Sequence, residues 1–359
     1  MAVCAIMDRS VLVSTCYNDL LILGPRTKLM RRREFIALIG SATVALPFSA
    51  GAQQGERVRR IGVLMGFAES DPTAQSWVAA FRDALAKRGW AEGSNLRIEL
   101  RWSAADPDRI RTLAQELVEL RPDAILADST LVTAALKRET LTIPIVFAVV
   151  ADPIGSGFAP SLARPGGNIT GFTYVEPTTG GKWVGLLKEI APRTAHVAML
   201  FNPATTPQLK FYMPSIQAAA SSLAIEANSA PVHARDEIEG VIAAQARNPG
   251  GGLLVMPDIF NIVNGESIIA LAARSGVPAI YPIPFYAESG GLIAYGADFT
   301  ERFRQAGGYI HRILKGANPG DLPIQRPIKF ELVINLKTAK ALGLSVPQSM
   351  LLLADAVIE

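Results

Sequence analysis

Strand-like and helix-like patterns alternate along most of this chain, and this alternation restricts the possible fold more than any other feature. Apolar runs at residues 58–65, 96–102 and 124–127 are each followed by a segment with apolar residues at three- and four-residue spacing. Such alternation predicts parallel sheets covered by helices, with right-handed crossovers. The same rhythm starts again after residue 171 and continues to residue 281. We therefore expect an α/β fold with two doubly wound parallel-sheet lobes.

The two halves are separated by an unusually long loop. A proline-led apolar strand at residues 143–150 breaks at Asp152-Pro153, and a segment rich in glycine and proline follows before the next apolar piece at 169–172. Loops in compact domains are typically ~4–6 residues long, so this length indicates a functional segment. The alternative is a surface excursion made of turn residues. In open α/β sheets, ligands bind outside the carboxyl ends of the strands, which is where this loop begins.

The N-terminal part, residues 30–52, has the three parts of a secretory signal. Residues 30–36 form a basic start, residues 37–48 an apolar core, and Ala50-Gly51-Ala52 a small-residue cleavage pattern. The letters RREFI within the basic start also resemble the twin-arginine export motif, so the export route stays open. Residues 1–29 precede this signal. We interpret them as an upstream extension from a misplaced start codon, with a real but disordered leader as the alternative.

Removal of the signal would change the charge and the cysteine content. The chain has 35 Lys and Arg against 32 Asp and Glu, but six basic and three acidic residues precede residue 53, which leaves 29 of each. A neutral chain lacks the positive charge that nucleic-acid binding requires. The two cysteines, Cys4 and Cys16, would also be removed. Without a lipidated cysteine or an apolar stretch of membrane-spanning length, we expect a soluble periplasmic protein with no lipid anchor.

The sequence lacks catalytic and metal-binding patterns. The three histidines, His196, His233 and His311, do not have metal-ligand spacing. There is no G-x-S-x-G nucleophile motif, no G-x-G-x-x-G dinucleotide loop after the first strand and no G-x-x-x-x-G-K-[ST] phosphate loop. We therefore predict a protein without a bound metal, a cofactor or ATP hydrolysis of its own.

Polar and aromatic side chains follow several predicted strands in both halves, where a ligand crevice would form. We expect this crevice to be largely apolar with few polar groups. Ser129 and Thr130 directly precede a helix and suit a ligand carboxylate, or they are ordinary helix caps. Asp258 suits a ligand ammonium group, or it is a cap or turn residue. The candidate ligand residues are Phe67, Ser129, Thr130, Asp152, Tyr174, Asn202, Asp258 and Tyr281.

Several of these candidates have an equally simple structural interpretation. We expect Asp152 to shape the long loop rather than to touch ligand. Phe67, Tyr174 and Tyr281 could stack on an apolar or aromatic ligand side chain, or they could belong to the hydrophobic core. The sequence alone does not separate these alternatives.

Two long sequence blocks resemble a known family. The first is DPIGSG at 152–157 followed by SLARPGGNITG at 161–171, and the second is LPIQRPIKFELVINLKTAKALGL at 322–344. Both are similar to ABC transporter substrate-binding proteins of the group that includes tryptophan-binding proteins. The likeness extends from about residue 58 to the C-terminus. It implies the type I periplasmic binding protein fold, in which three hinge crossovers join two lobes.

By this resemblance, lobe I comprises residues 57–171 and 296–319, and lobe II comprises residues 172–291 and 323–359. Three connections across a gap allow the lobes to close about a hinge with little shear, which suits a ligand clamp.

The resemblance also implies a function. We expect a monomeric, exported solute-binding protein that holds a small amino-acid-like ligand between the lobes, with an apolar or aromatic ligand side chain favoured. Its partners would be an ABC permease in the inner membrane and a separate ATPase. Two alternatives remain open, namely a periplasmic sensor subunit that presents ligand to a membrane receptor, and an enzyme that uses the same cleft.

Overall fold

The computed structural model describes residues 57–359, which contain two β-sheets with flanking helices. The predicted signal peptide at 30–52, the upstream extension at 1–29 and both cysteines lie outside these described residues. Within residues 57–359, none of the helices combines the length and the apolar character needed to cross a membrane.

The first sheet consists of five parallel strands. They are β1 Arg59–Met65, β2 Leu96–Trp102, β3 Ala124–Ala127, β4 Ile145–Val150 and β5 Ile169–Thr173. Their spatial order is β2-β1-β3-β4-β5. Three helices connect the first four strands: α1 Pro72–Ala86, α2 Pro107–Glu119 and α3 Thr130–Glu139. Strands β3 and β4 are buried along their whole length, which explains why their sequences are continuous apolar runs.

The second sheet has seven strands. They are β6 His196–Phe201, β7 Glu226–Pro231, β8 Gly251–Val255, β9 Ala279–Tyr281, β10 Ile293–Gly296, β11 Glu331–Asn335 and β12 Ala356–Ile358. Their order is β12-β11-β10-β9-β8-β6-β7. Every pair is parallel except β10 and β11, which are antiparallel. The second sheet is therefore mixed. Strand β11 follows an extended segment that comes from the first lobe, rather than a helical crossover within the second sheet, so it need not run parallel to β10.

Nine helices follow β5 along the described part of the chain, and one of them packs in the first lobe. Those before β10 are α4 Thr179–Ile190, α5 Leu209–Ser222, α6 Glu237–Arg247, α7 Ile259–Val263, α8 Gly265–Arg274 and α9 Phe285–Glu288. Those after β10 are α10 Phe299–Leu314, α11 Leu336–Ala341 and α12 Gln348–Leu353, with a 3-10 turn at Pro319–Asp321. Helix α10 packs on α1 and β4, and so belongs to the first lobe.

Three connections join the lobes: the chain passes from β5 to α4, from β10 to α10, and from the 3-10 turn to β11. The first and third run side by side, because the Gln325 N–H donates to the Gly171 carbonyl and the Thr173 N–H donates to the Gln325 carbonyl. Gly171 has φ of 150°, and a Cβ there would overlap the Phe147 carbonyl oxygen, so this crossing requires glycine. The predicted two-lobed fold with three crossovers is confirmed.

An aromatic cluster holds α10 against α1 in the first lobe. Trp77 on α1 packs edge-on against Phe67 at 5.3 Å between ring centroids. It also lies 5.6 Å from both Phe299 and Phe303 of α10. Asp71 and Asp298 cap the two helices by accepting hydrogen bonds from first-turn N–H groups. These contacts place one edge of the cluster at the gap between the lobes.

Candidate functional site

A cavity lies between the two lobes, beside the carboxyl ends of strands from both sheets. The space open to the centre of a water molecule is about 60 Å³. Extended outward by the water radius of ~1.4 Å, a compact space of this size holds roughly 200 Å³, similar to a single amino acid. Its lining includes Phe67, Trp77, Asp128, Ser129, Thr130, Tyr174, Thr205, Gln208, Pro257, Asp258, Ile259 and Phe299.

One wall of the cavity is aromatic. Phe67 and Trp77 come from the first lobe, Tyr174 follows the first crossing, and Phe299 begins α10 after the second crossing. Tyr174 packs edge-on against Phe299 at 5.5 Å between ring centroids. Burial raises the pKa of the Tyr174 phenol, so this ring stays neutral. Such a wall suits an apolar or aromatic ligand group.

The beginning of α3 also lines the cavity. Ser129 is the cap residue, and its hydroxyl lies 3.5 Å from the Val132 nitrogen. The Thr130 hydroxyl accepts a long hydrogen bond of 3.4 Å from the Ala151 N–H. The first N–H groups of a helix have no carbonyl partner within the helix, and together with the helix dipole they favour an anionic group. Both predicted roles of Ser129 and Thr130, as caps and as carboxylate ligands, are compatible with this position.

Asp258 also lines the cavity, and its hydrogen bonds join several segments of the second lobe. Its Oδ1 accepts from the Thr205 hydroxyl at 2.8 Å, the Phe260 N–H at 2.5 Å and the Asn261 N–H at 3.3 Å. Its Oδ2 accepts from the Asn202 N–H at 3.0 Å and the Thr206 hydroxyl at 2.7 Å. Burial raises the pKa of Asp258, and four of these donors, those of Asn202, Thr206, Thr205 and Phe260, oppose that rise by stabilising the carboxylate. Asp258 thus caps α7 and holds the loop after β6.

A second carboxylate, Asp128, also lines the cavity and was not among the predicted ligand residues. It directly follows β3 and is only 2% exposed. Its Oδ2 accepts the Gly66 N–H at 2.7 Å, whereas its Oδ1 is buried with no hydrogen-bond partner. Burial raises the pKa of Asp128 to about 7, although the Gly66 N–H, the Ser129 hydroxyl and the backbone N–H of Asp128 itself oppose the rise. The sequence feature that could have identified Asp128 as a candidate ligand residue is its position between a buried strand and Ser129.

Comparison with known proteins decides which family this two-lobed architecture represents. The family model described as ABC transporter substrate binding protein matches residues 61–358. The chain belongs to this family. It is 25% identical to the tyrosine-binding protein of Clostridioides difficile (strain R20291) over 281 residues, which cover 76% of this chain and 78% of that relative.

Solved structures give the same architecture for this substrate-binding protein. One is the ABC domain from Streptococcus pneumoniae in complex with L-Trp, with TM-score 0.76, 26% identity and coverage of 84% of this chain and 99% of the other. Another is a conserved domain protein from Vibrio cholerae, with TM-score 0.77, 26% identity and coverage of 84% and 100%. These likenesses agree with the predicted type I periplasmic binding protein fold.

Three predicted ligand residues of the substrate-binding protein do not line the cavity. Asp152 shapes the long loop, as its alternative interpretation predicted, since its Oδ1 accepts the Gly155 N–H at 2.8 Å. The Asn202 side chain is buried and bonds to the His233 carbonyl and the Ala204 N–H. Tyr281 lies in the second-lobe core, 5.0 Å from Tyr286 between ring centroids. All three follow or end strands as predicted, but none of them is among the residues that line the cavity.

The long loop at 151–168 also lies outside the cavity lining. It supports the third connection, because the Leu162 carbonyl accepts from the Ile324 N–H at 2.7 Å and the Gly166 N–H donates to the Gly320 carbonyl at 3.1 Å. The long loop therefore serves the connection between the lobes and does not line the cavity. Its length allows it to reach the returning chain and to fix the path of that chain beside β5.

Several lining residues were not predicted because they come from helices and loops rather than strand ends. Trp77 lies within α1, where its helical spacing indicates only a core position. Gln208 is buried, and its amide donates to the Pro257 carbonyl at 2.6 Å. Among residues 57–359, no group of three or more His, Cys, Asp or Glu side chains is arranged to hold a metal ion.

Proposed function

We propose that this substrate-binding protein holds a small amino-acid-like ligand, with an apolar or aromatic side chain favoured, in the cavity between its lobes. The observation that carries the proposal is that one cavity is lined by four aromatic side chains together with Asp128 and the first turn of α3. An amino acid with an apolar or aromatic side chain has one group for each, since its ammonium group suits a carboxylate and its carboxylate suits helix N–H groups. The names of two relatives, a tyrosine-binding protein and an L-Trp complex, support this ligand class.

We further propose that the ligand closes lobe I, residues 57–171 and 296–319, onto lobe II, residues 172–291 and 323–359. A ligand that contacts both lobes favours closure because it binds the closed state more tightly than the open one. The closed monomer then delivers its ligand to an inner-membrane ABC permease powered by a separate ATPase. In this proposal the signal at 30–52 exports the protein to the periplasm, where it is soluble and carries no lipid anchor.

Calorimetric titration of the purified protein with the twenty common amino acids tests the ligand class. A bound ligand at about one hundred times its dissociation constant stabilises the folded protein by ~2.7 kcal/mol, so a thermal-shift screen will find it first. We expect tyrosine, tryptophan or a related apolar amino acid to bind with one site per chain. Mass spectrometry of the recovered ligand should show it unchanged, as expected for a carrier rather than a cleft enzyme.

Two outcomes would contradict the proposal at different steps. If no amino acid binds, the ligand class is wrong. If an amino acid binds but a strain without the protein takes up that amino acid at the normal rate, the transport role is wrong and a sensor role becomes the better interpretation. Cell fractionation separately tests the periplasmic location.

A further inference from the structure

The cavity lining has an unusual charge balance. Two of its side chains are carboxylic acids, Asp128 and Asp258, and Tyr174 is its other titratable group. No Lys, Arg or His is among the described residues that line it. Both carboxyl groups have a pKa raised by burial, and so does the Tyr174 phenol. A buried acidic site without a basic partner is one in which a ligand cation is stabilised.

Asp258 has little capacity left for such a cation. A carboxylate has about four lone-pair sites, and five donors from the protein already lie within hydrogen-bond distance of its two oxygens. A ligand ammonium group could reach Asp258 only by displacing one of the donors that fold the loop after β6. Asp258 is thus satisfied by its own lobe.

Asp128, in contrast, has free hydrogen-bond acceptor capacity. The Gly66 N–H occupies only Oδ2, and Oδ1 is buried without a partner although the residue lines the cavity. Leaving an ionised carboxylate oxygen buried and unpaired is costly, and a positively charged donor removes that cost. The neighbouring turn of α3 provides N–H groups for an anion. The ammonium and carboxylate groups of an amino acid are bonded to one carbon, so adjacent acidic and helix-terminal sites can bind both.

We infer that Asp128, rather than Asp258, binds the ligand's ammonium group, and that this contact makes closure of the lobes conditional on an amine-bearing ligand. The inference rests on the proposed function and specifies which residue selects the ligand.

The closure part follows from how the lobes meet beside Asp128. Gly66 of the first lobe lies against Ile259 of the second, since a Cβ at Gly66 would be 2.7 Å from the Ile259 Cδ1 and 3.2 Å from the Asp128 Oδ2. Closure to this distance removes water from Asp128. An amine-bearing ligand replaces that water with a charged donor, whereas an empty cavity leaves Oδ1 unpaired. The closed state is therefore favoured only with the ligand present.

Titration calorimetry with three related probes tests the ammonium assignment on the full chain. The probes are L-tyrosine, tyramine, which lacks the carboxylate, and 3-(4-hydroxyphenyl)propionate, which lacks the ammonium group; L-tryptophan serves as a second amino acid. Asp128→Asn keeps an acceptor for the Gly66 N–H but loses the charge. We expect Asp128→Asn to lower the affinity for L-tyrosine and for tyramine by about 10- to 100-fold. The affinity for the propionate should stay within about threefold of that of the unmodified protein.

Two control variants separate this effect from a loss of structure. Asp106→Asn changes an exposed helix cap of the first lobe and should leave all three affinities unchanged. Asp258→Asn should lower the melting temperature, yet keep the preference for L-tyrosine over the propionate. Small-angle scattering without ligand should show Asp128→Asn more compact than the unmodified protein.

Each result bears on the inference. If Asp128→Asn binds L-tyrosine within about twofold of the unmodified protein, the assignment of Asp128 is wrong while the proposed function stands. If Asp258→Asn alone abolishes the preference for the amine, Asp258 is the ammonium ligand. If ligand-free Asp128→Asn is as open as the unmodified protein, the closure part is wrong. If the unmodified protein binds neither L-tyrosine nor L-tryptophan, the inference and its proposed ligand class fail together.

Discussion

Replacement of Asp258 by alanine tests whether this carboxylate organises the second lobe rather than the ligand. It is 4% exposed, and its oxygens accept from the Asn202, Phe260 and Asn261 N–H groups. They also accept from the hydroxyls of Thr205 and Thr206. Truncation leaves all of these donors without their shared acceptor.

The structure gives the expected size of the effect. Loss of the α7 cap, formed with the Phe260 and Asn261 N–H groups, costs about 1 kcal/mol. The Asn202 N–H and the Thr206 hydroxyl belong to buried residues, and each unpaired donor adds about 1 kcal/mol or more. Thr205 is half-buried and can turn its hydroxyl to water. We therefore expect Asp258→Ala to lower the free energy of unfolding by about 3 kcal/mol.

Urea unfolding of the ligand-free protein measures this loss, and hydrogen exchange locates it. Asp106→Ala is the matched control, because Asp106 caps α2 with two N–H groups on an exposed surface and should cost only about 1 kcal/mol. Amides of residues 200–206 and 256–264 should exchange faster in Asp258→Ala alone. If Asp258→Ala loses no more stability than Asp106→Ala, the structural role assigned to Asp258 is wrong.

Two further changes test how the lobes meet. Gly66→Ala places a methyl group 2.7 Å from the Ile259 Cδ1, the outer end of that side chain, and 3.2 Å from the Asp128 Oδ2, so it should weaken ligand binding by about two- to tenfold in calorimetry, whereas Gly185→Ala, whose Cβ has open space, should not. Burial raises the pKa of Asp128 to about 7 where the lobes meet, above ~3.9 for an exposed Asp. Ligand-free closure should therefore be most favoured below about pH 4, where Asp128 is protonated in both states, and be lost as pH rises towards about 7. Scattering near pH ~5 and ~8 should show this change, and Asp128→Asn should abolish it.

Most of the regular elements could be predicted because their signals are local. The predicted strands at 96–102 and 124–127 coincide with β2 and β3, and the helical spacing predicted after the first strand corresponds to Pro72–Ala86. Apolar periodicity arises from one buried face of each element, so a window of a few turns contains the necessary information.

Short elements could not be predicted in this way. Helix α7 has five residues and strand β12 has three, so each contains fewer than two repeats of its pattern. Strand β12 is mostly exposed and forms because its backbone pairs with β11. The antiparallel pairing of β10 and β11 likewise depends on where the returning chain enters the second sheet.

The sequence by itself determined the two α/β repeats, the family, and the edge of each sheet where polar side chains gather. It could not distinguish Asp128 from Asp258, since each follows a buried strand and precedes a helix. Only the tertiary structure decided that the loop after β6 folds over Asp258 with donors more than fifty positions away, while Asp128 keeps one oxygen unpaired. The physical reason is that hydrogen-bond satisfaction depends on groups brought together by folding, whereas secondary-structure patterns depend on neighbours along the chain.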